Sequence, residues 1–306
     1  MQANKGKVLA ILGPTCTGKS DLALWLAPLV GGEIVNGDSI QVYRGFDIGS
    51  AKPDRRLRAE VPHLLIDVVA PDEEFNAAIF QKAADDAIRQ VWSRGGTPIL
   101  VGGTGLYLRV LFHGLFPVRT DPALRERLRK RYAENPLQAY EELKALDPDY
   151  ALSISFRDVV RVVRALEVCY SSGTTMSGWL ASHGFREQRY EVHKVGLSKD
   201  RRELYERIDR RVERMLDEGW IREVEDLMRA GWDTSLKPFR SIGYREIVLY
   251  LKGDLSYAAM EERIKRETRH YGKRQITWFS KEKDINWYDY PDDRDKILEG
   301  VTRFLA

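Results

Sequence analysis

The fold of this chain is decided by Gly13-Pro14-Thr15-Cys16-Thr17-Gly18-Lys19-Ser20. An apolar run at 8–12 precedes this stretch, and residues 21–26 follow it with a helical pattern. A glycine-rich turn between a strand and a helix start offers unpaired backbone N–H groups and the positive end of the helix dipole to an anion. Lys19 would reach the outer phosphates, and the Ser20 hydroxyl would help to hold a magnesium ion. We therefore predict a phosphate-binding loop, which by itself does not say whether phosphate is transferred, hydrolysed or expelled as a leaving group.

Composition narrows the function only slightly. The 306 residues suffice for two domains, and 49 basic against 46 acidic residues give a net charge of only +3. No global field favours a nucleic-acid partner, so such a partner would have to bind local patches. Cys16 and Cys169 are too few for a disulfide framework and lack metal-ligand spacing. With only a strand-sized early apolar run, we expect a soluble, unexported protein of the reducing cytoplasm, with no membrane partner.

The first third of the chain alternates apolar runs with amphipathic stretches. We predict strands at 8–12, 33–35, 63–69 and 98–101, and a crossover helix at 75–95 that ends in a glycine pair. This order is typical of an α/β fold in which a parallel sheet is covered by helices. We therefore predict a P-loop NTPase-like core with a parallel sheet and flanking helices.

The pattern changes after residue 115. Residues 119–150 and 158–170 show helical periodicity and heavy charge, 171–175 reads as a loop, and 190–197 alternates as a returning strand would. Long helical patterns dominate from residue 201 to the end. We predict a first part of the core at 1–117, an all-helical insertion domain at 118–191 and completion of the core at 192–306.

Two polar turns follow predicted strands and so belong at the carboxyl edge of the sheet, where open α/β folds bind ligands. Asp38 lies in the first turn and can accept a proton or bind a metal through its shell, although an Asp in a Gly-Asp-Ser turn is also a common turn former or helix cap. The second turn, at 102–107, carries Thr104 among glycines that can equally serve a tight bend.

Basic residues are mixed with aromatic residues near the C-terminus. On a helix, Arg266, Arg269 and Lys273 share one face, and Trp278 and Phe279 follow. Such a stripe can track a phosphate backbone, with the aromatic rings free to stack on unpaired bases. The alternative is a solvated helical face whose aromatic residues belong to the core.

Four segments together resemble one family, the tRNA dimethylallyltransferases. They are the phosphate loop, Asp38-Ser39-Ile40-Gln41-Val42-Tyr43, Gly102-Gly103-Thr104-Gly105-Leu106-Tyr107 and Lys273-Arg274-Gln275-Ile276-Thr277-Trp278. Residues 47–53, 161–167 and 242–246 match the family pattern in the same order. The resemblance covers nearly the whole chain, and the combination of motifs is far more specific than the loop.

The resemblance implies transfer of a dimethylallyl group from its diphosphate to N6 of the adenosine just 3′ of the anticodon. It implies tRNA and dimethylallyl diphosphate as partners, Mg²⁺ as cofactor with Ser20 as its ligand, and a protein that need be no more than a monomer. In this scheme the phosphate loop binds the leaving group, and Asp38 accepts the proton from the adenine amine. An arginine near the diphosphate would be Arg207, or Arg211 one helical turn away.

By motif position, the resemblance assigns catalytic roles to Asp38, Thr104, Lys19 and Arg207. It assigns RNA contacts to Asp38, Ser39, Ile40, Gln41, Thr104, Arg125, Val160, Arg161, Val162, Val163, Arg164, Arg240, Ser241, Ile242, Gly243, Tyr244, Arg245, Lys273, Arg274, Gln275, Ile276, Thr277, Trp278, Phe279 and Ser280. Three positions depart from the usual pattern: Cys16 replaces a common Ala, Leu64 a frequent His, and Arg157 a frequent Asn. None of them removes a proposed catalytic group.

Two other function classes compete with this one. A P-loop small-molecule kinase would bind ATP in the same loop and use Asp38 to activate a hydroxyl. A non-catalytic RNA-binding module would bind RNA and keep the loop only as a vestige. The basic C-terminal segment and the helical insertion argue against a kinase, because a small acceptor needs neither.

Overall fold

The computed structural model describes residues 6–118 and 121–306. In this part of the chain six parallel strands form one sheet in the order β3-β2-β4-β1-β5-β6. The strands are β1 (Lys7–Leu12), β2 (Gly32–Asn36), β3 (His63–Leu64), β4 (Thr97–Gly102), β5 (Glu191–Leu197) and β6 (Ile285–Tyr288).

Helices connect the strands and make up most of the remaining chain. Those of the first half are α1 (Lys19–Leu26), α2 (Arg55–Glu60), α3 (Ala77–Ser93), α4 (Gly105–His113), α5 (Pro122–Glu134), α6 (Pro136–Leu146) and α7 (Pro148–Leu152). They are followed by α8 (Val159–Ser172), α9 (Met176–His183), α10 (Arg201–Asp217), α11 (Trp220–Arg229), α12 (Tyr244–Leu251), α13 (Tyr257–Phe279) and α14 (Arg294–Leu305). Short 3₁₀ turns lie at Ala27–Leu29 and Pro238–Arg240.

Strand β1 lies inside the sheet and is buried on both faces. Val8 and Ala10 belong to the apolar cluster on one face, whereas Leu9 and Ile11 belong to the cluster on the other. Successive side chains of a strand point to opposite faces, so a strand covered on both sides must be apolar at nearly every position. The burial of β1 confirms the predicted α/β class with a parallel sheet between helices.

The predicted strand at 63–69 is wrong beyond its first two residues. Only His63–Leu64 pairs with β2, because Leu65 (φ 64°) and Asp67 (φ 57°) adopt left-handed backbone that a strand cannot continue through. The chain then returns to form an isolated parallel bridge between Val69 and Tyr43. The predicted strands at 8–12, 33–35, 98–101 and 190–197 all form, within about one residue at each end.

Strand β6 at Ile285–Tyr288 was not expected from the pattern, which favours helices from residue 201 onward. It is short, lies at the edge of the sheet beside β5, and leaves Trp287 exposed. An edge strand with one solvated face carries few buried apolar residues, so its periodicity signal is weak.

The chain divides into two compact units. One comprises the residues up to Phe112 together with Arg189–Ala306, and the other comprises His113–Gln188. The second unit begins five residues before residue 118, where the insertion was predicted to start, and ends three residues before residue 191, where it was predicted to end. Its described residues contain α5–α9 around a core of their own, with Leu128, Leu143 and Leu166 at most 2% exposed.

Several helices of the second unit begin at the residues that cap helices best. The side chains of Asp121, Asn135, Asp147 and Asp158 each accept a backbone N–H in the first turn of the helix that follows. The loop expected at 171–175 is shorter than predicted, because Ser172 still belongs to α8. Within the described residues, no helix combines the length and the apolar character needed to cross a membrane.

Candidate active site

The phosphate loop joins β1 to α1 with backbone that only glycine adopts easily. Gly13 (φ +135°) and Gly18 (φ +89°) both lie in the positive-φ region. A Cβ at Gly13 would lie 2.3 Å from the Leu197 carbonyl oxygen of β5, so the strand end leaves no space for a side chain. The N-cap residue of α1, Gly18, has no side chain to cap the helix. The first N–H groups of α1 are therefore left for an anion.

Lys19 opens α1 and turns back over the loop. Its Nζ and the Thr17 hydroxyl both donate to the Pro14 carbonyl oxygen. Burial, together with the nearby Arg211 guanidinium, lowers the pKa of Lys19 to about 8, while Cys16 and Asp38 oppose the shift. A diphosphate bound at the loop would supply the counter-charge that Lys19 lacks.

Asp38 follows β2 and serves first as a turn former. Its Oδ1 accepts the Ile40 N–H at 2.7 Å and the Gln41 N–H at 3.3 Å. The Asn36 side chain accepts the Asp38 N–H at 3.0 Å, which fixes the turn from the other side. Oδ2 of Asp38 makes no hydrogen bond to a described residue. The carboxylate is thus oriented through one oxygen and keeps the other for a substrate.

The Thr104 turn lies directly against the Asp38 turn. Gly37 donates its N–H to the Val101 carbonyl at 2.8 Å, and a Cβ at Gly102 would lie 2.6 Å from the Gly37 carbonyl oxygen. The close approach explains the glycines on both turns. The Thr104 hydroxyl oxygen is shielded from solvent and lies beside the Tyr271 hydroxyl of α13. Burial raises the pKa of Tyr271, and the Asp38 charge raises it further, so this phenol stays protonated.

Gln275 of α13 ties the two turns to the phosphate loop. Its Oε1 accepts the Thr15 N–H at 2.9 Å, and its Nε2 donates to the Gly103 carbonyl at 3.0 Å. A Cβ at Gly103 would lie 2.2 Å from that nitrogen. The Gln275 side chain is 5% exposed, so it is an internal bridge between turns rather than a surface group.

A cavity of about 1210 Å³ opens above these strand ends, within the first unit. Its wall includes Lys19, Ser20, Asp38, Gln41 and Tyr271. Small-molecule sites usually occupy about 300–1,000 Å³, so this cavity has room for a small ligand and part of a larger one. The structure therefore brings the predicted loop, the predicted metal ligand Ser20 and the predicted base to one cavity.

One face of α10 lines the other side of the cavity with cations. Arg207, Arg210, Arg211 and Arg214 recur at helical spacing along it. Arg211 Nη1 lies 3.8 Å from Cys16 Sγ in the phosphate loop, whereas Arg207 Nε donates to Glu203 at 2.8 Å. Both arginines that the sequence left open thus line the cavity, and Arg211 is the one in contact with the loop.

Family models match almost the entire chain. One described as "IPP transferase" matches residues 41–282, and one described as "Isopentenyl transferase" matches residues 6–64. A tRNA dimethylallyltransferase 2 of Geotalea uraniireducens is 45% identical over 305 residues, which is 99% of this chain and 98% of that protein. A tRNA dimethylallyltransferase 1 of Citrifermentans bemidjiense is 47% identical over 303 residues, covering 99% of this chain and 98% of that one.

The chain belongs to the tRNA dimethylallyltransferase family. Solved structures agree with this assignment. A tRNA isopentenylpyrophosphate transferase from Bacillus halodurans has a TM-score of 0.73 and 35% identity, covering 98% of this chain and 97% of that one. A eukaryotic dimethylallyltransferase described as acting on tRNA has a TM-score of 0.79 and 29% identity, covering 98% of this chain and 78% of that one.

The segments predicted to contact RNA differ in how much of them is accessible. On α13, Lys273, Arg274, Ile276 and Thr277 are exposed, as is Ser280 just beyond it. Phe279, like Gln275, is buried, and Trp278 is half-buried. The alternative prediction, that the aromatic residues of this segment belong to the core, therefore holds for Phe279. The exposed cations of the segment remain free to contact phosphate.

The segment 240–245 divides in the same way. Arg240 and Arg245 are exposed, Ser241 and Ile242 are half-buried, and Gly243 is buried. Tyr244 is 1% exposed and donates its hydroxyl to Glu223 at 2.7 Å. The Tyr244 side chain is thus committed to the interior, and the accessible groups of this segment are its two arginines.

In the second unit, Val160 and Arg161 are exposed on α8, whereas Val162 and Val163 are buried in its core. Arg125 and Arg164 both bind Oε2 of Glu167, a carboxylate that is fully buried, at 3.1 and 2.9 Å. Each arginine keeps about 30% of its side chain exposed. These two cations neutralise a buried charge, and only their outer parts are accessible.

Some residues of the cavity were missed by reading the sequence. Tyr271 lies one helical turn before Gln275 on α13, and that i, i+4 spacing is the signal that would have found it. Arg210 and Arg214 share the face of Arg207 and Arg211 and were detectable by the same periodicity. No group of three or more His, Cys, Asp or Glu side chains in the described residues is arranged to hold a metal ion.

Proposed function

We propose that this protein transfers a dimethylallyl group from dimethylallyl diphosphate to N6 of the adenosine 3′ to the anticodon of tRNAs, releasing diphosphate. The observation that carries the proposal is that the phosphate loop and Asp38 line one cavity, close enough for the Asp38 charge to affect Lys19. A donor held by its diphosphate at the loop would extend its prenyl group toward the neighbouring strand end.

The donor half of the reaction requires that a departing diphosphate be stabilised as its charge develops. Three kinds of group surround the proposed diphosphate position: the backbone N–H groups at the start of α1, the Lys19 ammonium and the Arg211 guanidinium. Preorganised groups of this kind stabilise developing charge without having to reorganise. The same residues would let the site bind diphosphate as product. Arg207 would contribute a second guanidinium from the facing helix.

The proposal includes Mg²⁺ as cofactor, with Ser20 as the protein ligand. Ser20 is exposed at the cavity wall, and Mg²⁺ commonly takes one or two protein ligands together with phosphate oxygens and water. A single hydroxyl beside a diphosphate site therefore fits the ion. When bound, Mg²⁺ would neutralise negative charge on the leaving diphosphate.

The acceptor half requires a base, because the lone pair of adenine N6 is delocalised into the ring. Asp38 is held through Oδ1 and would take the proton from N6 on Oδ2 as the new carbon–nitrogen bond forms. The protonated Tyr271 and the Thr104 hydroxyl lie nearby as neutral hydrogen-bonding groups. Together they would orient the adenine without competing for its proton.

The target adenosine must leave the base stack of the anticodon loop before N6 can reach Asp38. Exposed Lys273 and Arg274 would bind the RNA phosphates, and Arg240 and Arg245 would do the same. In the second unit, Val160 and Arg161 are exposed and would add a further contact to the tRNA. None of these contacts requires more than one copy of the chain.

The test is to incubate the protein with isotope-labelled dimethylallyl diphosphate, Mg²⁺ and unmodified tRNA, and to identify the product nucleoside by mass. We expect a labelled dimethylallyl adenosine at the position 3′ to the anticodon. A matched tRNA with guanosine at that position should take up no label. If the protein instead cleaved ATP rapidly in the presence of a metabolite and the tRNA took up no label, the protein would be a kinase.

A further inference from the structure

Residues 47–52 form a loop that lines the cavity, and a carboxylate of α11 holds its start. Glu223 accepts three consecutive backbone N–H groups from this loop, those of Asp47 at 3.0 Å, Ile48 at 2.6 Å and Gly49 at 3.4 Å. It also accepts the Tyr244 hydroxyl at 2.7 Å. Two oxygens thus take four hydrogen bonds, and charged acceptors make hydrogen bonds roughly twice as strong as neutral ones.

Packing leaves the loop little freedom to shift away from Glu223. The Trp220 indole fills the space between Gly49 and Gly243, where an added Cβ would lie 2.0 and 1.9 Å from ring atoms. Trp220 also packs edge-on against Tyr244, with 5.5 Å between ring centres. The loop is therefore fixed by hydrogen bonds on one side and by an aromatic ring on the other.

The loop in turn fixes Gln41. The Gln41 side-chain amide donates to the carbonyl oxygens of Ser50 at 3.0 Å and Ala51 at 3.2 Å. Lys52, whose side chain is 1% exposed, closes the loop through Tyr43 and two carboxylates, those of Asp47 and Asp67. The position of the Gln41 side chain is thus set by the backbone that Glu223 holds.

Gln41 is directly linked to the proposed base, since its backbone N–H donates to Asp38 Oδ1. A connected series of hydrogen bonds and short backbone segments therefore runs from Glu223 through the loop and Gln41 to Asp38. We infer that Glu223 is a positioning residue for the transfer reaction: it sets the orientation of the Asp38 carboxylate through this series, without touching substrate. The inference rests on the proposed function.

The chemical state of the group is consistent with this role. Burial raises the pKa of Glu223, while the Tyr244 hydroxyl and the three loop N–H groups favour the charged carboxylate. The pKa of Tyr244 is raised well above its usual value by burial, so the phenol remains a donor. In Glu223→Gln, an amide NH₂ would face N–H groups that need an acceptor, and the loop would lose part of its support.

The test compares single-turnover transfer with ligand binding in Glu223→Gln. With donor and tRNA saturating, we expect the transfer rate to fall roughly tenfold to a hundredfold, because small misplacement of a reacting group has effects of that order. The dissociation constant for diphosphate should change by less than about twofold, since the phosphate loop lies outside the series. Glu225→Gln is the matched control, because Glu225 lies on the same helix and pairs with Arg229 at its surface. It should transfer at the rate of the unaltered protein.

A second comparison separates positioning from general loss of structure. If Glu223 acts through Gln41, the loss in Glu223→Gln combined with Gln41→Ala should be well below the product of the two single losses. Tyr244→Phe, which removes one of the four hydrogen bonds and keeps the ring, should show a smaller loss of the same kind. It also serves as the test if Glu223→Gln fails to fold.

An unchanged rate in Glu223→Gln, or losses that multiply independently in the double variant, would overturn the inference. A loss in Tyr244→Phe that multiplied independently with the loss in Gln41→Ala would also overturn it. If the unaltered protein itself transferred no dimethylallyl group, the proposed function would fail, and the positioning role would fail with it. The unaltered arm therefore distinguishes the two failures.

Discussion

The polar side chains of the cavity wall are held by hydrogen bonds, whereas those on the outer face of α13 are exposed to solvent. Lys19, Asp38 and Gln275 each make named hydrogen bonds at the strand ends and are half-buried or buried. Lys273 and Arg274 are exposed, and their side chains make no hydrogen bond or ion pair with another described residue. Fixed groups can stabilise charge at a reacting centre, whereas solvated cations can follow an RNA backbone. Variants in the first region should therefore change rate, donor binding and stability, and variants in the second should change tRNA affinity.

The largest effect that this comparison predicts is at Asp38. Asp38→Asn keeps the shape and the Oδ1 acceptor but removes the base, so single-turnover transfer should fall on the order of a hundredfold or more. Binding of tRNA, measured by filter retention or fluorescence, should weaken far less. Transfer at the normal rate would remove Asp38 from its role.

The next effect concerns the bridge from α13. Gln275→Met leaves the half-buried Thr15 N–H and the buried Gly103 carbonyl without their partner, and an unsatisfied buried group costs about 1–3 kcal/mol. We expect the free energy of unfolding in urea to fall by at least about 1 kcal/mol, with weaker diphosphate binding. Ile276→Ala, at the next and exposed position, is the control. Equal stability of the two variants would show that the bridge is energetically irrelevant.

The lowered pKa of Lys19 predicts that binding of the donor depends on pH. With a pKa of about 8, the free side chain is mostly charged at pH 7 and mostly neutral at pH 9. Its attraction for diphosphate is therefore present below pH 8 and is lost as the pH rises through that value. Calorimetry should show affinity falling by about tenfold from pH 7 to pH 9. Lys19→Arg, which stays charged, should flatten this change, and an equal fall in both proteins would assign it to another group.

The smallest effect is expected on the outer face. Lys273→Ala should weaken tRNA binding about threefold and lower the slope of log affinity against log salt by about one, as expected when one phosphate contact is lost. The control is Lys296→Ala on α14, where the side chain is 75% exposed and pairs with Asp293 at 2.7 Å. If the unaltered protein, Lys273→Ala and Lys296→Ala all showed the same salt slope, Lys273 would not contact an RNA phosphate.

The parts of the fold that were predictable are those whose local chemistry has one solution. The interior strands read as apolar runs because both their faces are covered, and the glycines of the phosphate loop mark backbone that other residues adopt with strain. The strand at 63–69 failed because the backbone is left-handed at Leu65 and Asp67, and this segment also makes contacts with residues outside it that its apolar pattern does not show. Asp67, for example, pairs with Lys52 and Arg58.

The candidate site was predictable as a set of turns but not as a network. Asp38 could be placed at the sheet edge, yet the sequence gives no sign that its carboxylate is divided between a turn and the cavity. Gln275 and Tyr244 belong to motifs linked to RNA, but the structure places both side chains inside. Side-chain direction along a half-buried segment depends on packing between distant elements, and that information is absent from local pattern.

The most direct test of the account is a structure of the protein with an unreactive thiolo-diphosphate analogue of the donor and an unmodified anticodon stem-loop. The account predicts the diphosphate on the loop at Gly13–Ser20 and adenine N6 within about 2.6–3.2 Å of an Asp38 oxygen, facing the first carbon of the prenyl group. A flipped adenine whose N6 lies far from Asp38, or a diphosphate bound away from Lys19, would contradict it.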